Sequence, residues 1–279
     1  MSARTSSIAV SLVAFLGSST LWAQRVKTPT MEEVLQRLDA NLNHYDTRVP
    51  SVFCDEHVVS QMSGPDQRDD DTITDSIFRL KRIPSADRTT TTLVELREIK
   101  SVNGKPPTEA TMNGPSLLSG AFEGGLAVVS LNQTACMKYT LQRINKNRPA
   151  EPYVVRFSTV LTPENSSGCI LQENSKGRVF IDPASMQITR LELTTPRHVI
   201  IPSVSYESPV IGKRELTADY APVLLGGETF WMPSTISMRN TSGSGTFHVS
   251  IWSYHATYSN YHKMEVTYRI LPGGDTPVQ

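Results

Sequence analysis

The sequence predicts an α+β, mainly β domain: a curved antiparallel sheet of about ten strands, with an N-terminal helix and a helical insertion covering its concave face. Three observations lead there. An amphipathic helix comes first, short half-apolar segments with polar turns follow from residue 49, and residues 103–132 break the strand rhythm. About ten strands is near the size at which an open sheet must curl or split. A curled sheet has a concave apolar face that needs a cover, and the helix and the insertion are the available material.

Ahead of the helix, Arg4 gives a positive start, residues 8–16 are almost unbroken apolar, and Leu21, Trp22 and Ala23 precede Gln24. This is the layout of a secretory signal peptide over residues 1–23. A buried N-terminal helix of a cytosolic protein is the alternative, although residues 1–24 contain no acidic side chain and no amphipathic period. The apolar run is too short for a stable membrane span, and no second long one follows. Residues 24–279 are therefore expected to be one exported domain without a transmembrane segment, periplasmic or else secreted. No cysteine sits near the cleavage point to carry a lipid anchor.

The helix is expected over 30–43, with Thr28 as cap, Pro29 in the first helical position and Glu32 and Glu33 in the first turn. Met31, Val34, Leu35, Leu38 and Leu42 form its apolar stripe. Strands are expected at 58–62, 76–83 and 91–99, the last two alternating charged with apolar side chains. Asp69, Asp70 and Asp71 lack calcium-loop spacing and read as a solvated turn. Within 103–132, Asn103-Gly104 turns the chain, Pro106 and Pro107 stiffen it, and short helices are expected at 115–122 and 126–131. Strands resume at 136–144, 153–161, 169–173 and 178–181. After an Asp182-Pro183 turn come 187–194, 203–208, 222–225, 235–239, 246–254 and 263–271.

The chain carries 27 basic and 27 acidic side chains. That balance gives no electrostatic reason for a nucleic-acid partner or for tight attachment to anionic lipid. Its three cysteines allow one bridge and a leftover thiol, unless two chains join. Cys136 and Cys169 head two strand-like segments that neighbouring strands would bring together; three buried thiols are the alternative. Cys54 has only His57 nearby, short of a zinc ligand set.

The element order resembles that of the periplasmic lipoprotein-carrier and lipoprotein-sorting superfamily. The resemblance rests on residues 54–56, on 179–183 with Asp182-Pro183, on 188–192, on 225–233 with Gly226-Gly227, and on 258–262. It implies an open half-barrel plugged by helices, with an apolar cavity that in characterised relatives receives lipid or lipoprotein acyl chains. The Asp182 and Gly226-Gly227 turns also have a purely structural reading, as strand connections. Arg190 and Glu192 are either a cross-strand pair on the wet face or buried polar groups near the ligand.

No catalytic or metal-binding constellation is found. The six histidines show no His-Glu-x-x-His spacing, residues 242–245 do not form a nucleophile elbow, and Gly124-Gly125 lacks a phosphate loop's lysine. Adjacent Asp55 and Glu56 face opposite ways on a strand, which spoils shared acid–base work. Aromatic residues crowd the final third, and Phe230, Trp231, Trp252 and Tyr254 are the candidate ligand-binding side chains, unless they simply fill the core. The expectation is a non-enzymatic protein without cofactor or metal. Its partner is a hydrophobic ligand or lipid-modified protein; an envelope interaction module with a filled core is the alternative.

Overall fold

The computed structural model describes residues 29–64, 67–84, 91–108, 128–142, 148, 150–199, 210–244 and 248–264. The leader at 1–23, the helix expected at 115–122, the strand at 203–208 and all but the first two residues of the strand at 263–271 lie outside these. Helix α1 spans Met31–Arg48. It is capped by Thr30 rather than Thr28: the Glu33 backbone N–H donates to Thr30 Oγ1 at 3.2 Å and the Thr30 N–H donates to the Glu33 carboxylate at 2.7 Å. A reciprocal box needs an acceptor three residues after the cap, and three after Thr28 stands Met31.

The strands are β1 (Val52–Gly64), β2 (Gln67–Pro84), β3 (Thr91–Val102), β4 (Met137–Leu141), β5 (Tyr153–Thr159), β6 (Lys176–Ile181), β7 (Ile188–Val199), β8 (Val210–Leu225), β9 (Glu228–Ser244) and β10 (His248–Lys263). They form one antiparallel sheet in the order β3-β2-β1-β10-β9-β8-β7-β6-β5-β4, open between β3 and β4. Laid flat, ten strands would be roughly 43 Å wide. Yet α1, about 27 Å long, meets elements spread across the whole sheet. It contacts β4, its Asn41 reaches the β6–β7 turn, its His44 reaches Glu228 on β9, and Arg82 of β2 donates to the carbonyl of Val49 at its end. The sheet therefore curls around the helix as a half-barrel. Val34, Leu38 and Tyr45 share one buried core with Val58, Phe78, Ile181, Leu191, Met232 and Ile236 of the sheet, and Leu35 is buried as well.

Several expected boundaries are corrected. Asp70 and Asp71 are not a turn but belong to β2, opposite Met62 and Gln61. The β1 ladder overrides their weak strand preference, as pairing context commonly does. Residues 169–173 are not a strand either. A single 3-10 turn, Ser166–Gly168, precedes them, and Asn165 folds the segment back by donating to the carbonyls of Ala135 and Val160 at 3.0 and 2.9 Å. Cys169 is nevertheless bonded to Cys136, with Cα atoms 5.7 Å apart, so the bridge joins the start of β4 to the β5–β6 connection. Of the helix expected at 126–131, the described residues 128–130 are not helical and only Leu131 enters a 3-10 turn, Leu131–Gln133, while Val128 and Val129 are buried in the core. Residues 258–262 continue β10, because β1 pairs with them.

Arg190 and Glu192 lie on the wet face. Arg190 pairs with Glu192 at 3.0 Å and with Asp219 at 3.1 Å, and Glu192 also pairs with Arg178, whereas Leu191 between them is fully buried. Gly177 of β6 marks a close approach: a Cβ there would overlap the Glu192 carbonyl and the Phe157 ring. Gly177→Ala is expected to destabilise the fold by about 3 kcal/mol, read as a lowered midpoint in urea denaturation.

Candidate functional site

The inner face has two distinct regions. The first lies beneath the C-terminal half of α1. Here Asp182 accepts from the backbone N–H and the hydroxyl of Ser185, both at 2.7 Å, and these bonds hold its carboxyl below the usual range. The turn they fix forces Met186 to a left-handed φ of 56°, a strain of about 1–3 kcal/mol for a bulky residue. Met186 is buried, and its carbonyl accepts from Asn41 Nδ2 at 2.6 Å. On the same rim, at the β8–β9 turn, Gly226 and Gly227 take φ of 62° and 90°, the two consecutive positive values that a tight hairpin needs. This hairpin delivers Glu228 to His44 Nε2 at 3.0 Å and towards Arg48 at 3.9 Å. The Phe230 ring stacks on His44 with centroids 5.8 Å apart.

Between helix and sheet remains a cavity of about 30 Å³, bounded by Leu38, Leu42, Tyr45, Ile188, Phe230 and Trp231 among others. That is room for about one water molecule. His44 and Tyr45 are the titratable side chains on its lining. Apolar walls with a polar rim suit holding a greasy group rather than breaking a bond.

The second region lies on the β1–β2–β3 wing and the adjoining part of β10. Glu56, 1 % exposed, accepts from Arg97 Nε at 2.9 Å and from Ser76 Oγ at 2.7 Å. Arg97 also faces Glu95 at 3.6 Å and lies over the Phe78 ring. Burial opposes the charge on Arg97, but Glu56 together with Tyr258 and Tyr254 outweighs it and holds the guanidinium above its ordinary range. Tyr254, beside them, is pushed up to about 12, first by burial and then by Glu56.

The four aromatic candidates thus divide. Phe230 and Trp231 line the cavity under α1. Trp252 and Tyr254 sit on β10 with ring centroids 6.2 Å apart, opposite Asn240 and Met238. Eight residues of β9 separate Met238 from Phe230, roughly 26 Å along the strand. Asn41, His44, Glu228 and the Glu56–Arg97 pair were missed by sequence reasoning. Glu56 alone carried a signal: it shares the period-two face of Cys54 and Val58, both fully buried.

Cys54 is a free, buried thiol. Burial pushes its pKa up to about 12, against a lowering hydrogen bond with Tyr261. It is expected to resist an aromatic disulfide reagent at pH 8 in the folded protein and to react within seconds in urea. Among the described residues no group of three His, Cys, Asp or Glu side chains is placed to hold a metal ion, and no helix is long and apolar enough to cross a membrane.

The sequence matches no protein-family model and no curated protein. Among solved structures, a LolA superfamily protein from Nitrosomonas europaea aligns over 86% of this chain and 96% of its own, at 11% identity and a TM-score of 0.32. The tesB protein of Mycobacterium avium subs paratuberculosis aligns over 81% of this chain and 85% of its own, at 11% identity and a TM-score of 0.14. Both are distant likenesses.

Proposed function

We propose that the chain is an exported binding protein, without chemistry of its own, that receives the hydrocarbon part of a lipid or lipid-modified partner on the inner face of its half-barrel. The observation that carries this reading is how α1 is seated. Its apolar stripe closes a cavity lined by Leu38, Leu42, Ile188 and Phe230, while Asn41, His44 and Arg48 tie it to the rim through a few polar contacts. Exposed ion pairs of this kind contribute about 0–1 kcal/mol each, so the cover is held lightly at that edge. An acyl chain needs far more than 30 Å³, and uptake beneath α1 therefore requires the helix to move outward.

The test is native mass spectrometry of protein purified from its own envelope, followed by lipid extraction. One lipid or acyl chain per protein supports the proposal. An empty protein overturns it in favour of a second reading, an envelope interaction module with a filled core. That reading draws on the small volume under α1 and on the edge of β3, which among the described residues pairs only with β2.

A further inference from the structure

Strands β9 and β10 part company halfway along. Their ladder ends at Thr235 opposite Thr257. Beyond it, among the described residues, residues 228–233 of β9 pair only with β8, and residues 258–263 of β10 pair only with β1. Both strands are distorted at that level. β9 carries an extra residue at Ser234, where its register with β8 shifts, and Asn260 of β10 has a left-handed φ of 55°, beside a bulge against β1. Pro233 has no N–H to offer a neighbour, and its carbonyl accepts instead from the Tyr261 hydroxyl at 2.6 Å.

The gap holds a cavity of about 290 Å³, nearly ten times the volume under α1. Its lining includes the buried Met232 and Tyr258 together with the exposed Pro222 and Ser259, so it reaches inward from the surface between the two strands. Among the described residues no acidic, basic or histidine side chain lines it. We propose that this split is a slot in the wall that takes one unbranched hydrocarbon chain. A methylene is about the size of a water molecule, roughly 30 Å³, so the slot accommodates about ten of them. An added peptide strand fits poorly, because Pro233 lacks the donor and its carbonyl is already engaged. A charge inside the slot finds no counter-charge among the described residues, so a ligand's head group stays outside it. This inference rests on the binding reading above and locates the chain.

The experiment titrates the full-length protein with saturated fatty acids of six to sixteen carbons by calorimetry. Affinity is expected to rise about fourfold per added methylene up to about ten carbons and then level off. Ala221→Trp, which fills the slot, and Ser259→Trp on its exposed lip each lower decanoate affinity at least tenfold, with unchanged circular dichroism. Leu96→Ser, at an exposed side chain of β3 that lines neither cavity, leaves the affinities and the plateau length unchanged. If Leu42→Trp, which fills the cavity under α1, abolishes binding while both slot variants bind normally, or if affinity climbs without a plateau to sixteen carbons, the slot is overturned and the binding reading stands. If no fatty acid binds the unaltered protein, both fall.

Discussion

Replacing Arg97 with Met is expected to cost about 3–5 kcal/mol of stability. The Arg97 side chain is 10 % exposed and that of Glu56 is fully buried, 2.9 Å away. Removing the guanidinium leaves a carboxylate in the core with Ser76 as its remaining hydrogen-bond donor among the contacts described here. Adding Glu56→Gln to the same protein should restore much of the loss, because an amide is far cheaper to bury than an unpaired charge. Urea denaturation of the single and double variants measures both steps. A loss under about 1 kcal/mol for Arg97→Met would mean that Glu56 is neutralised by some other group.

Opening the Cys136–Cys169 bridge is the second large effect expected. The bond spans 33 residues of chain, and a loop of that length restricts the unfolded chain by about 3–4 kcal/mol. The Cys136→Ser, Cys169→Ser double variant should unfold at a correspondingly lower urea concentration, and reductant should shift the parent protein but not the variant. Both proteins carry Cys54→Ser, because this buried free thiol is exposed on unfolding and exchanges with the bridge. A reductant shift that persists in the double variant would mean that the shift does not come from this bridge.

Much of the architecture was legible because it follows from local periodicity. The stripe Val34, Leu35, Leu38 and Leu42 set the helix and its buried face, and Leu191 between Arg190 and Glu192 exposed the two-residue period of β7. Boundaries were less legible where a neighbour decides them. Asp70 and Asp71 are strand residues because β1 lies alongside, and residues 258–262 are strand residues for the same reason. The site was least legible of all. Its parts come from α1, the Asp182 turn, the Gly226-Gly227 hairpin and two wings of the sheet, and no sequence spacing links Asn41 to Met186 or Glu56 to Arg97.

By itself, the sequence determined the class of fold, the leading amphipathic helix and the single curled sheet, since side-chain alternation and turn chemistry act over a few residues at a time. Only the tertiary structure decided which polar groups enter the core, where α1 is fastened, and that β9 and β10 separate at Pro233. Those outcomes depend on which strands meet across the curve of the sheet, and burial or hydrogen bonding between residues far apart in the chain is settled only once the curve exists.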